Sequence, residues 1–238
     1  MIQNNHELFV ILNAASTQLP AWIWMFLSLL GTGWMVFSLA MPCLLSAPRV
    51  FYAIAFAAPL AGIASRTIKL YFAAPRPSAV LESGTFNILG EALHANAMPS
   101  GHTITAFAAA SAVLLSAPAR IRKALLILFP IAAGVGLSRI AIGAHWIEDV
   151  VVGALIGAIA GAMGAYFARR VPDAWLEPRS WGLRLLSITT GPLCIYALLT
   201  ERLDFAENQL VQWISALGVF ISLILFWRRS LVGIGGGN

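Results

Sequence analysis

Twelve residues, Ser138-Arg139-Ile140-Ala141-Ile142-Gly143-Ala144-His145-Trp146-Ile147-Glu148-Asp149, set a cation, an imidazole and two carboxylates where two apolar runs meet. His145 and Asp149 are four residues apart, about one helical turn, so they share a face of any helix that begins here. Glu148, three residues on, competes for the imidazole on position alone. Gly143 separates Arg139 from His145 and marks a point where one helix ends and the chain turns. In such a geometry Arg139 holds an anion, His145 attacks it and Asp149 orients the imidazole.

Two other polar clusters offer partners. Lys69, then six residues, then Arg76-Pro77 places two cations near the end of an apolar run with no acid close in sequence. Arginine supplies a planar donor fork for phosphate oxygens and lysine a point charge. Either cation alone is explained by a long side chain snorkelling at the end of a span. Pro99-Ser100-Gly101-His102 opens the next apolar run, where Ser100 caps a helix and free backbone N–H groups point at an anion. Taken alone, that cluster reads as a capped helix start. Together the three clusters supply Lys69, Arg76 and Arg139 as cations, with His102 and His145 as nucleophilic or acid–base groups. No Cys, His or carboxylate grouping has the spacing of a zinc site, and too few acids converge for a two-metal phosphatase.

The elements that must position these residues are membrane spans. Of 238 residues, 59% are hydrophobic and 11% charged, against about 25% charged in a soluble domain; the mean hydropathy is +0.82. The net charge of +5 reads as basic loops fixing membrane orientation, not as a nucleic-acid footprint. Cys43 and Cys194 lie within apolar runs and read as small core residues. The N-terminus lacks the basic region and cleavage site of a signal peptide. Residues 6–18 are too short and mixed to span, although Leu8, Phe9, Ile11 and Leu12 suit one face of an interfacial helix. Apolar runs then cover about 20–45, 50–72, 99–117, 124–142, 145–167, 183–199 and 210–227. Trp22, Trp24 and Trp34 are interface anchors or packing residues of the first. Gly153, Gly157 and Gly161 recur every fourth residue in the fifth run, a stripe for close helix approach.

In an alternating seven-span arrangement, Arg49, Arg120, Arg122, Lys123, Arg169, Arg170, Arg179, Arg184, Arg228 and Arg229 fall on one side. The positive-inside rule makes that side cytoplasmic. The 73–98 loop, the Arg139–His145 junction and the acidic segment Glu201–Glu207 fall on the other. A six-span alternative, with one C-terminal run failing to cross, leaves the placement unchanged. The expected fold is all-α: a polytopic membrane bundle of about six to seven helices, forming a single domain over 1–238, with 183–238 as additional C-terminal spans.

The pattern Lys-x6-Arg-Pro, Pro-Ser-Gly-His and Ser-Arg-x5-His-x3-Asp resembles the three-part signature of the type 2 phosphatidic acid phosphatase (PAP2) family. That family includes membrane lipid phosphatases and shares its site with vanadium haloperoxidases. Lys69, Arg76, Pro77, Pro99, Ser100, Gly101, His102, Ser138, Arg139, His145 and Asp149 fill every signature position, and the motifs cover 69–149. The resemblance implies a haloperoxidase-like core. It implies that His145 attacks phosphorus to give a phosphohistidine, that Asp149 rather than Glu148 holds its tautomer, and that His102 protonates the leaving oxygen and then activates water. Lys69, Arg76, Ser100, Gly101 and Arg139 hold the phosphoryl oxygens, with no metal or cofactor required. Resemblance to compact bacterial members favours undecaprenyl pyrophosphate, ahead of phosphatidic acid, phosphatidylglycerophosphate or a lipid A phosphate. A lipid phosphotransferase using the same intermediate, and a non-catalytic anion or lipid transporter, are the rival readings. Binding alone does not demand two histidines and a carboxylate at these spacings.

Overall fold

A computed structural model describes residues 2–232, with side chains from His6 onward. Every regular element among them is helical. The chain begins with α1 (Ile2–Ser16) and α2 (Ala21–Leu30), bent by 113° at the Pro20 corner. The apolar run of 20–45 does not form one continuous span. Gly31-Thr32-Gly33 ends α2 and starts α3 (Gly33–Ala40), whose first turn is capped by the Thr32 hydroxyl. Pro42 then separates α3 from α4 (Cys43–Ser46). Glycine and proline punctuation thus breaks a run that hydropathy alone reads as unbroken.

Pro48 occupies the first turn of α5 (Pro48–Phe72), where its missing N–H costs nothing. The connection that follows holds α6 (Pro77–Val80). Ser100 caps α7 (Gly101–Ser116), and α8 (Ala119–Leu125) leads into α9 (Leu128–Ala141). Then come α10 (Ile147–Ala168), α11 (Trp181–Thr200) and α12 (Gln209–Leu231). Five helical stretches are long and apolar enough to cross a membrane, or six if α1 and α2 form one broken span. Both C-terminal runs form such helices; the runs that fall short are the broken first one and α7, at 16 residues.

α10 is the axis of the bundle. An added Cβ would stand 2.9 Å from the Ser100 carbonyl oxygen at Gly153, 2.4 Å from that of Ile104 at Gly157, and 2.3 Å from that of Ala108 at Gly161. Glycines four apart on α10 therefore face carbonyls four apart on α7, and the two backbones lie in direct contact. Gly164 does the same against α5, where its Cβ would lie 2.3 Å from Ala53 O. Above this seam the Ser100 N–H donates to Asp149 O at 3.0 Å, tying the start of α7 to the start of α10. Phe51, Leu44, Met41, Leu183 and Phe226 fill the core at the opposite end. Outward, Leu155, Ile159, Leu193 and Ile214 are each more than half exposed, the surface a bilayer covers.

The two ends of the bundle differ in chemistry. At one end Arg49 donates to Ala168 O and pairs with Asp173 at 2.6 Å, and Arg184 binds Ser230. The other end gathers the C-terminus of α5, the N-terminus of α7 and the α9–α10 and α11–α12 connections. All three polar clusters lie there.

Gly157→Ala is expected to destabilise the protein by about 1–3 kcal/mol through backbone displacement. Gly218→Ala, with open space around its added Cβ, should be neutral or slightly stabilising. Thermal unfolding in detergent reads both; equal midpoints would refute the seam.

Candidate active site

Arg139 lies in the last turn of α9, and its carbonyl oxygen accepts from both Ala144 N (3.0 Å) and His145 N (3.1 Å), so the chain folds back at once. Gly143 makes this turn with φ +78°, and a Cβ there would lie 2.6 Å from Asn87 O. No other residue type fits both demands. The turn is also held from outside by Asn13 of α1. Its buried amide donates to Asn87 O, Ile140 O and Ala141 O, each at 3.0 Å, and its oxygen accepts from Asn87 N at 2.7 Å.

His145 and Asp149 are 2% and 1% exposed. Asp149 Oδ2 lies 3.1 Å from His145 Nδ1 and accepts from Trp146 N at 2.9 Å. A carboxylate on Nδ1 selects the tautomer with its proton there and leaves the Nε2 lone pair free. That Nε2 points to the Arg76 guanidinium, 3.3 Å away. Burial, followed by the charges of Arg76, Arg139 and Lys69, holds the His145 imidazole well below its ordinary range. The neutral, nucleophilic form is therefore favoured. Asp149 makes this contact.

The cations are held by oxygens. Arg76 donates to Ala95 O (2.8 Å), Ala144 O (3.0 Å) and Asn96 O (3.4 Å). Lys69 Nζ donates to Asn96 O at 2.7 Å. The 94–97 segment that supplies these carbonyls is itself fixed by Arg76 N to His94 O and Ala97 N to Ala74 O. Arg139, only 4% exposed, uses Nη1 for Ser28 Oγ and for Asp204 Oδ2 at 3.1 Å. Its Nε is buried without a partner. A buried unpaired guanidinium N–H is costly.

Ser100 is fully buried and its oxygen accepts from Thr103 N and Thr103 Oγ1. It acts here as the cap of α7, with its own proton still available. Gly101 and His102 line a cavity of about 710 Å³ that continues along Val36, Ile54, Ala57, Ala61 and Ile104. Lys69 and Asp204 also stand on its wall, whereas His145, Arg76 and Arg139 do not.

The structure thus brings His145, His102, Asp149, Lys69, Arg76, Ser100, Gly101 and Arg139 to one end of the bundle. It adds residues that spacing did not reveal. Asp204, from the α11–α12 connection, lies 2.8 Å from His102 Nε2 as well as contacting Arg139 and Ser28. Glu201–Glu207 stood out only as an acidic segment on the same side. Nothing in the local sequence separates Asp204 from its neighbours Glu201 and Glu207. Ser28 and Asn13 are polar residues in apolar helices, a signal that a buried hydrogen bond awaits but not with whom.

The family model of the PAP2 superfamily matches residues 49–173, and the chain belongs to that superfamily. The crystal structure of Aquifex aeolicus LpxE is similar at TM-score 0.60 and 31% identity, over 67% of this chain and 93% of that one. A lipid A 1-phosphatase of Porphyromonas gingivalis is 32% identical over 99 residues, 42% of this chain. The match spans only 22% of that relative's length. Asn13, Ser28 and Asp204 all lie outside the family-matched span.

Because the His145 imidazole is held low, protonation should silence the nucleophile only well below pH 6.5. As pH falls through 6.5, kcat/KM persists, and it is lost at the lower folded value. Arg76→Gln removes one of the charges that depress it, so the acid limb should rise by up to about one unit relative to wild type. The substrate's own ionisation is common to both enzymes and cancels in the difference. An unchanged limb would show that Arg76 does not tune His145.

Proposed function

We infer that the protein is a multi-pass membrane lipid phosphatase working through a phosphohistidine. The observation that carries this is that an apolar cavity and the charged cluster meet at Lys69 and His102. An apolar cavity runs between α3, α5 and α7 and ends at Lys69, Gly101 and His102, next to a buried His145–Asp149 pair among cations. A lipid phosphate fits that division, with its tail on the apolar wall and its phosphate among the charges.

In the first step His145 Nε2 forms a bond to phosphorus as the P–O bond to the leaving group breaks. Asp149 stabilises the charge that develops on the imidazole. Lys69, Arg76, Arg139, the Ser100 hydroxyl and the Gly101 N–H hold the phosphoryl oxygens. His102 gives a proton to the leaving oxygen. In the second step His102 takes a proton from water, which attacks phosphorus and frees His145 as inorganic phosphate departs.

For the headgroup, the likeness to a lipid A 1-phosphatase and to LpxE supports a phosphorylated glycolipid of the lipid A type, with a polyprenyl diphosphate as the second candidate. The basic residues of the far end support a cytoplasmic placement for that end, and hence a site on the outer or periplasmic face.

Phosphate release from detergent-solubilised lipid A, undecaprenyl pyrophosphate, phosphatidic acid and phosphatidylglycerophosphate is the direct test. Lipid A is expected to be cleaved fastest, with inhibition by vanadate, a mimic of the five-coordinate transition state. His145→Ala should lose activity by at least about 10⁴-fold and should fail to form an acid-labile, base-stable phosphoprotein. A blank panel without vanadate binding would favour a transporter. Label passing to an added lipid acceptor in place of water would make the enzyme a phosphotransferase.

A further inference from the structure

The family-matched residues account for the nucleophile, its orienting carboxylate and the phosphate cations. They do not account for what holds His102. Its Nε2 is 2.8 Å from Asp204 Oδ2, approached too obliquely for an aligned hydrogen bond. The same carboxylate oxygen receives Ser28 Oγ at 2.5 Å and Arg139 Nη1 at 3.1 Å. Asp204 sits at φ +61°, a left-handed backbone that tertiary contacts must hold in a non-glycine residue. The charges facing His102 come from several elements. Arg139 reaches it from α9, Lys69 from α5 and Asp204 from the α11–α12 connection. His145 couples to it from the α9–α10 turn, and Arg66 and Arg202 share its cavity wall. All are basic groups except Asp204.

We propose that Asp204 is the positioning carboxylate of the leaving-group acid, pairing with His102 as Asp149 pairs with His145. Burial and the charges of Arg139 and Lys69 push the His102 imidazole below its ordinary range, and the contact with Asp204 is what opposes them. Asp204 keeps its charge throughout. His102 enters the first step as imidazolium, with Nε2 towards Asp204, and gives a ring proton to the leaving oxygen as the P–O bond breaks. Burial opposes ionisation of Asp204, but the contact with His102 and the charges of His102 and Arg139 prevail and hold its carboxyl below the usual range. Asp204 takes Nη1 of Arg139 and leaves its buried Nε unpartnered.

This inference rests on the phosphatase reading, and one pair of substrates separates the two. Dodecyl phosphate expels an alkoxide and needs the acid; dodecyl diphosphate, attacked at its terminal phosphorus, expels dodecyl phosphate, a stable anion, and scarcely does. Wild-type turnover of neither, with no vanadate binding, would sink the phosphatase reading itself. In Asp204→Asn, kcat on dodecyl phosphate should fall about 100-fold and on dodecyl diphosphate less than about 5-fold. The alkaline limb for the monoester should move down by about one pH unit, and Asp204→Glu should recover part of both. Active sites are counted by vanadate titration, and Asp204→Ser is made alongside so that misfolding of one variant leaves the ratio measurable. On a His102→Ala background, Asp204→Asn should add less than about 2-fold, since neighbours acting as one unit are not additive. Equal losses on the two substrates, or an undiminished effect without His102, would assign Asp204 a merely structural role. Faster turnover with lower KM on both would make it a plug over Arg139; either result overturns the proposal.

Discussion

Three cations, two imidazoles and two carboxylates sit together at one end of an apolar bundle, and the need to keep each of them satisfied shapes that end of the fold. Charge is expensive where water is scarce. Arg76 is surrounded by the carbonyls of Ala95, Asn96 and Ala144, and Arg139 by Ser28 and Asp204. Each partner comes from a different segment, so the cations hold the 94–97 connection, the α9–α10 turn and the α11–α12 connection in place. The cluster contributes fold specificity as well as chemistry. Its residual imbalance lies at Arg139 Nε and His102 Nε2, both buried without a hydrogen-bond partner.

Positioning begins far from that cluster. The glycine seam lets α10 lie against the carbonyls of α7, and a bundle so tightly packed has one register. That register sets Ser100 N on Asp149 O, and with it the distance between the start of α7, bearing His102, and the start of α10, bearing Asp149. A residue such as Gly157 therefore acts on the site through backbone geometry, not through any contact with substrate.

The sequence made legible what depends on near neighbours. One helical turn between His145 and Asp149, a glycine at the only sharp bend between Arg139 and His145, and a small-residue stripe on α10 are all local patterns with local consequences. The long apolar runs were legible for the same reason, but 20–45 reads as one span by hydropathy, and averaging hides the glycine and proline punctuation that breaks it at Gly31–Gly33 and Pro42. Pairings across the chain were not legible. Ser28 and Asp204 are 176 positions apart, and Asn13 reaches Ile140 over 127. Polar residues inside apolar helices announce a need for partners, but the partner is chosen by how the helices pack.

That division between local and distant pairings has a mechanistic counterpart. His145 lies in the α9–α10 turn just before α10, and Asp149 lies in the first turn of that helix, so their pairing is local in sequence. His102 and Asp204 belong to separate elements, and Asp204 enters on the connection between two helices beyond the family-matched residues. Changes in α11, α12 or their connection can therefore alter the environment of His102 while the His145–Asp149 pair stays fixed. Under the proposed phosphatase reading, a chain that acts on different leaving groups gains from this arrangement. The nucleophilic step is common to every phosphate, whereas the demand for a proton depends on what is expelled.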